Sequence, residues 1–456
     1  MKTPNLVERE QGLHRGLTQP QLTMIGIGGA IGTGLFYGSG FAVGMAGPGV
    51  LVSYLIAAVV ALIMMGALSE MAVAHPSAGS FGTYAEMYLG PFAGWTVRYT
   101  YWFCQVIAIG GEVIAASVFM QFWFPGIPGV VWMVAFSAVL VYVNARSVAN
   151  FGAFEYWFAM IKVSAIILFI IAGLAVVFGL GTEPVGLANL TQNGGFMPKG
   201  FSGVWMAVMM AIFSFVGVEV IAVTSGEAQN PETSVPKAMK SMVLRLILFY
   251  LLSLTIMLAL VPWTQAGGKV SPFVQVFTQI GIPYAAGVMN FVILTAALSS
   301  MNTNLYLTSR MMFSLSRGGY APAGLGKLSK QGTPVNALLI STVGIALAVA
   351  FEKLGAESSY LYAFGVALFG ALFVWIMILV TFFKFRAQRT AADRPLSFTM
   401  PLHPVLPALG IVLLVAILTT FYFHDFFRVG IYSGIGWLII MAITYYTFGR
   451  HINKDQ

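Results

Sequence analysis

The sequence predicts an all-α polytopic membrane protein of twelve transmembrane helices, and three observations carry that prediction. Of its 456 residues 58% are hydrophobic and only 8% charged, with a mean hydropathy of +0.86, whereas soluble domains run at about 25% charged residues. Apolar stretches of about 20 residues, the length a helix needs to cross a bilayer, fall at 22–43, 48–69, 97–123, 129–145, 154–180, 203–224, 241–262, 284–308, 336–352, 358–382, 405–424 and 429–448. The lysines and arginines then separate by side. Eighteen of the 23 share the side of both termini, four (Lys199, Lys269, Lys353 and Arg428) lie opposite, and Lys162 falls inside a span. By the positive-inside rule both termini are cytoplasmic. The net charge of +8 follows from that topology and calls for no nucleic acid.

The tail, 1–21, is polar and lacks a short apolar core followed by a small-residue cleavage site, so the first span is expected to serve as the insertion signal. That span carries five glycines in the nine residues from Gly26 to Gly34. Glycine costs about 1 kcal/mol relative to alanine at a helical position. In hydrocarbon, unwound backbone is tolerated only where protein or a water-filled cavity meets its polar groups. The cluster therefore predicts a broken helix lining a cavity; close helix packing through small residues is the alternative. N–H groups opening the second half-helix favour an anion and carbonyls closing the first favour a cation, so the pair suits a zwitterion.

At the inner end of the second span, Glu70, His75 and Glu86 fall in a cytoplasmic connection, as solvated or gate-forming charge. The third span carries Glu112 after Gly110 and Gly111, as a group facing a ligand or as an interhelical hydrogen-bond partner. Lys162, in the fifth, either snorkels to the cytoplasmic face or is buried among carbonyls and hydroxyls as a candidate proton carrier. If buried, it occupies acceptors that a sodium ion would need. The sixth span has a second irregularity at Phe213 to Glu219, with Gly217 beside a carboxylate. Glu219 could accept bonds from freed N–H groups, face an amine or carry a proton. Ionisable residues within spans are functional candidates by default. Ser299, Ser300, Asn302 and Asn304 in the eighth span read as interhelical glue.

The two irregular spans stand five apart. Five is odd, so the blocks 22–180 and 203–382 would insert with opposite orientations, the arrangement of inverted-repeat transporters. The segment 405–448 falls outside both blocks as a helical hairpin, and 449–456 forms a cytoplasmic tail. The single cysteine, Cys104, reads as a small core residue. Five histidines without metal spacing, and a GLGK at 324–327 lacking the rest of a phosphate-binding loop, lead us to expect no metal, no cofactor and no ATP motor.

GGAIGTGLFYGSG at 28–40, AGPGVLVSY at 46–54, LSEMAVAHPSAGSFGTYA at 68–85, FAMIKV at 158–163 and FSFVGVEVIAVTSGEAQNPETSVPKA at 213–238 resemble the amino acid permeases of the amino acid, polyamine and organocation (APC) superfamily, in the bacterial amino acid transporter branch. Many members of that branch have arginine where this chain has Gly66 and glycine where it has Ser69. The resemblance implies a LeuT-type fold of five plus five inverted helices with helices 1 and 6 broken. It implies that backbone N–H groups of Gly32, Thr33 and Gly34 hold a substrate carboxylate, while carbonyls of Ala30, Phe213 and Val216 meet the amine and the Phe213 ring acts as a gate. It further implies that the Lys162 ammonium stands in for a bound sodium and couples transport to protons. Glu219 matches the glutamate of the second break, and Glu112 a carboxylate that reads the substrate. The expected activity is import of an amino acid with a proton by alternating access, in a plasma membrane whose lipid is the other partner. An exchanger, a sodium symporter, and a membrane receptor or enzyme are the alternatives.

Overall fold

The computed structural model describes residues 6, 13, 15–180, 183–266, 271–280, 284–351, 356–390 and 395–449. Most of the two predicted tails, the basic residues Lys2, Arg9, Lys269, Lys353, Arg394, Arg450 and Lys454, and the histidines His14 and His451 lie outside them. The described residues are helical with one isolated backbone bridge. In chain order the helices are α1 (Gln19–Ala30), α2 (Ser39–Ala46), α3 (Val50–Ala74), α4 (Ser80–Leu89), α5 (Pro91–Met120), α6 (Gly129–Arg146), α7 (Val148–Val177), α8 (Gly200–Phe213), α9 (Val220–Thr224), α10 (Pro231–Leu260), α11 (Pro272–Ile280), α12 (Ala285–Arg317), α13 (Val335–Ser341), α14 (Val343–Phe351), α15 (Ala356–Gln388), α16 (Val405–Thr420) and α17 (Asp425–Thr444).

Among the described residues nine helical stretches are long and apolar enough to cross a membrane, the first of them, Gln19–Ala74, being 56 residues long. Gly200–Phe213 and Val335–Ala350 are shorter apolar helices. The chain is a polytopic membrane protein. Its surface turns apolar side chains outward, as Leu168 and Ile171 on α7, Val412 on α16 and Ile443 on α17 do. Charge and amide groups are turned inward, with Glu112, Glu155, Lys162, Glu219 and Asn302 all buried. α5 and α12 form the centre, and α1 lies against α7, α9, α10 and α12.

Several boundaries differ from the sequence expectation. α7 starts at Val148, six residues before the predicted 154, because Ser147 caps it by accepting a hydrogen bond from Asn150 N at 3.2 Å. Lys162 is thus fourteen residues into its helix and fully buried, so it does not snorkel. α15 runs to Gln388 and shortens the predicted loop at 383–404.

The expected cytoplasmic connection after the second span contains α4, and its carboxylates are not solvated. Glu86 is 2.7 Å from Arg98 and accepts from Tyr320 Oη at 3.0 Å. Glu70 is 2.7 Å from Arg386 and accepts from Met400 N. A third buried pair, Glu227 with Arg310 at 3.0 Å, lies where α9 gives way to α10, with Tyr306 also donating to Glu227. Removing one partner from a buried pair costs about 3–5 kcal/mol, so these pairs tie α4 to α5, α3 to α15 and the α9–α10 junction to α12. Beside the third pair, Leu17 N donates to Glu227 O and Gln229 N to Leu17 O, both at 3.1 Å.

Candidate functional site

Both predicted breaks exist. In the first, α1 ends at Ala30, Ile31 leaves the helical region at φ −80° and ψ 85°, and the chain re-enters through a five-residue π-turn, Gly34–Gly38, before α2. Thr33 and Gly34 open this second half, where a helix has no internal partners for its first N–H groups. Gly32 N donates instead to Ala30 O at 3.0 Å, so one of the three expected carboxylate donors is engaged in this conformation.

The second break is longer. Between Phe213 and Val220 the backbone runs through successive turns, with Val216 N bonded to Phe213 O at 3.0 Å and Val220 N to Gly217 O at 3.1 Å. Gly217 N finds no backbone acceptor there and donates to Glu219 Oε2 at 3.1 Å, while Tyr101 Oη donates to Glu219 Oε1 at 2.9 Å. Glu219 therefore caps unwound backbone from behind. Gly217 has φ +102°, and a Cβ there would lie 2.7 Å from Gly29 O, so the two breaks cross with no side chain between them. The Tyr250 hydroxyl spans the crossing, 2.6 Å from Ser214 O and 3.3 Å from Ala30 O.

Around the crossing is a small cavity. Ala30, Gly32, Gly34, Glu112, Phe213 and Val216 line it together with Gln105, Ser300 and Asn304. Thr33 lines an adjoining recess with Tyr360 and Phe364, and accepts from Tyr360 Oη at 3.1 Å. Seven of the nine residues expected at the site thus share one small volume. Ser300 donates to Glu112 Oε1 at 2.9 Å, and Glu112 Oε2 makes no hydrogen bond of normal geometry among the described residues. A buried carboxylate oxygen facing a cavity rimmed by carbonyls is suited to an ammonium group.

Lys162 and Glu219 stand one layer behind the cavity. The Lys162 ammonium donates to Gly28 O at 2.6 Å, Ile31 O at 2.9 Å and Ser299 Oγ at 2.8 Å. Two of its three protons thus hold carbonyls freed by the first break, as a bound cation would. Among the described residues no cluster of three or more His, Cys, Asp or Glu groups could hold a metal ion.

Aromatic rings cover the cavity on one side, where Phe213 and Phe364 lie 3.9 Å apart between centroids. Beyond them a second hollow opens between Phe41, Met45, Met210 and the His424–Phe427 turn. Toward the other side stand the three ion pairs, two of them fully buried and the Glu70–Arg386 pair partly so. Sequence reasoning missed Gln105, Tyr101, Tyr250, Tyr360 and Glu155. Glu155 precedes Lys162 by seven residues, a spacing that puts both on one helix face; that signal was present in the sequence. The tyrosines carry none, because an aromatic residue in a span is ordinary.

Residues 21–454 match the family model for the amino acid permeases. The chain is 41% identical over 451 residues to the gamma-aminobutyric acid permease of Bacillus subtilis (strain 168), covering 97% of this chain and 95% of that one. It is 37% identical over 448 residues to the uncharacterized amino acid permease YtnA of the same organism, covering 97% of each. To the aromatic amino acid transport protein AroP of Escherichia coli (strain K12) it is 38% identical over 434 residues, 95% of each. With a broken-helix cavity in a polytopic membrane fold, and with similarity of this length, the chain belongs to the amino acid permease family, whose members are transporters and not enzymes.

Proposed function

We propose that this permease imports an amino acid together with a proton by alternating access. In this reading the chain crosses the plasma membrane twelve times with both termini inside. Residues 22–180 and 203–382 form inverted five-helix repeats of LeuT type, 405–448 an added hairpin, and 1–21 and 449–456 cytoplasmic tails. The substrate carboxylate meets the N–H groups of Thr33 and Gly34, joined by Gly32 once its N–H leaves Ala30 O. The amine meets Glu112 and the carbonyls of Ala30, Phe213 and Val216. The Phe213 ring closes the outer side, and Glu219 holds the second break in shape for those contacts.

The observation that carries the reading is the Lys162 ammonium on the carbonyls of Gly28 and Ile31. Its charge holds the first break in its present shape. Loss of the proton removes one donor and the charge that strengthens the other bonds, so protonation and the geometry of the substrate site are linked. The same ammonium fills the acceptors that a sodium ion would use. The relatives named for 4-aminobutyrate and for aromatic amino acids differ in side chain yet are similarly close to this chain, which supports amino acids as the class without selecting one.

The test is uptake of labelled amino acids into proteoliposomes, driven in parallel by an inward proton gradient, an inward sodium gradient, or internal unlabelled substrate. Proton-driven accumulation is expected, and Lys162→Ala should abolish it in a protein that still folds. Uptake confined to preloaded vesicles would make the protein an exchanger, and accumulation driven only by sodium would overturn the coupling. Accumulation at wild-type level in Lys162→Ala would remove that residue from the mechanism.

A further inference from the structure

Glu155 has no part in the mechanism above, yet it is a fully buried carboxylate two turns from Lys162 on the same face of α7. Its surroundings are specific. Ser299 Oγ donates to Glu155 Oε1, and Ser299 Oγ itself accepts from Lys162 Nζ at 2.8 Å. Asn302 Nδ2 donates to Glu155 Oε2 at 3.0 Å, and Asn144 Nδ2 in turn reaches Asn302 Oδ1 at 2.7 Å. On α1, a methyl group at Gly28 would overlap Glu155 Oε1, so the absence of a side chain at Gly28 lets the carboxylate approach the helix end that Lys162 holds. Lys162 is the charge facing Glu155 along α7, α12 offers it Ser299 and Asn302, and Glu112 of α5 is the other carboxylate whose charge reaches the ammonium.

We propose that Glu155 receives the transported proton from Lys162 through the Ser299 hydroxyl and is its station on the way to the cytoplasm. The proposal rests on the proton-symport reading and on the orientation given there. The serine is both acceptor and donor in one line, Lys162 Nζ–H to Ser299 Oγ–H to Glu155 Oε1. A proton passes from the ammonium to Ser299 Oγ as the serine's own proton passes to Glu155 Oε1. The ammonium becomes an amine, the carboxylate a carboxylic acid, the serine is unchanged, and total charge is conserved. Because the pair ends neutral, the transfer leaves neither Lys162 nor Glu155 as an unpaired charge in the membrane interior, where one is costly.

Seven residues of helix put Glu155 about 10 Å nearer than Lys162 to the start of α7, which is the cytoplasmic end in the proposed topology. One turn further, Phe151 stacks on Tyr306 with centroids 4.3 Å apart, and Tyr306 donates to the Glu227 that pairs with Arg310. This closed cluster separates Glu155 from that end, so release of the proton waits for the inner side to open.

The experiment compares wild type, Glu155→Gln, Ser299→Ala and the double variant in proteoliposomes containing a pH dye. It reads substrate-evoked internal acidification, proton-driven accumulation, and counterflow of labelled against unlabelled substrate at equal pH. Counterflow returns the carrier loaded and needs no net proton release. Each single variant should lose at least tenfold in acidification and accumulation while retaining counterflow, and the double variant should lose no more than either single, as residues of one path do. Acidification at wild-type level in either single variant overturns the proposal. So does loss of counterflow in folded protein, which would make the cluster structural, and so does an additive loss in the double variant. If Glu155→Gln fails to fold, Ser299→Ala decides alone. Absence of acidification in wild type would refute the symport reading itself, visible before any variant is made.

Discussion

Two interruptions cross at the centre of this molecule, and they are built from opposite materials. The first takes side chains away: Gly28, Gly29, Gly32 and Gly34 surround a break of two residues, and what stabilises its freed carbonyls at Gly28 and Ile31 arrives from α7 as one ammonium. The second keeps bulky residues, with Gly217 as its one glycine, and is braced by side chains from three helices. Tyr101 holds the Glu219 that caps Gly217 N, Tyr54 bonds Ser214 Oγ at 3.0 Å, and Tyr250 bonds Ser214 O. Where backbone itself must face a ligand, removing side chains gives access. Where the break must hold a ring such as Phe213 against Phe364 beside the cavity, braces give rigidity. The comparison teaches that unwinding in a membrane needs partners for polar backbone, and that these can come from one buried charge or from several hydroxyls.

The largest expected effect is at the point of crossing. Gly217→Ala sets a Cβ 2.7 Å from the backbone oxygen of Gly29 at φ +102°, a region closed to side chains at a cost of about 1–3 kcal/mol, and the oxygen it meets belongs to a backbone that cannot swing aside. Transport should be lost and the melting temperature in detergent lowered. Wild-type uptake in this variant would mean that the breaks need not touch to function.

How legible each break was follows from its material. A glycine cluster is a strong sequence signal because nothing else explains so many helix-destabilising residues in an apolar span. Tyr54, Tyr101, Tyr250 and Tyr360 brace the breaks from residues as far as 327 positions away in the chain, and no local pattern encodes a partner at that distance. The second break was visible through Gly217 and Glu219, yet the role of Glu219 as a cap depends on Tyr101. Hydropathy found the helical segments but read α4 as part of a connection with Glu70 and Glu86 as solvated or gate-forming charge, and it gave no sign of their pairing with Arg386 and Arg98. A window average registers charge without seeing that it is paired. Glu155 was overlooked because it sits at the predicted edge of its span, and the earlier start of α7 at Val148 moves it inward.

A middle-sized effect tests the braces. Tyr250→Phe keeps the ring, including its edge contact with Phe215 at 5.1 Å, and removes the proton shared between Ser214 O and Ala30 O. Leaving a buried polar group without its partner costs about 1–3 kcal/mol. Because both carbonyls belong to the breaks, the loss should fall on substrate binding as well as on stability, raising the KM for uptake about tenfold. A drop in melting temperature with unchanged KM would make Tyr250 a fold residue and weaken the claim that braces set the geometry of the second break.

The smallest effect is expected at Thr33, and its smallness is what sharpens the comparison. If the first break acts through backbone, the side chain of Thr33 matters for its hydroxyl alone, which accepts from Tyr360 Oη at 3.1 Å and lies beside Glu112. Thr33→Ala removes that acceptor while leaving the Thr33 N–H in place. A single neutral hydrogen bond contributes about 0.5–1.5 kcal/mol, so uptake affinity should weaken by less than about tenfold. Tyr360→Phe should have an effect no larger, and the double variant should be no worse than Thr33→Ala, since that variant already removes the bond to Tyr360. Thr33→Pro provides the contrast: proline is tolerated where a helix begins but has no N–H, so it should abolish binding while the helix persists. Equal and complete loss in Thr33→Ala and Thr33→Pro would show that the side chain, and not the exposed backbone, reads the substrate, and the division of labour between the two breaks would then collapse.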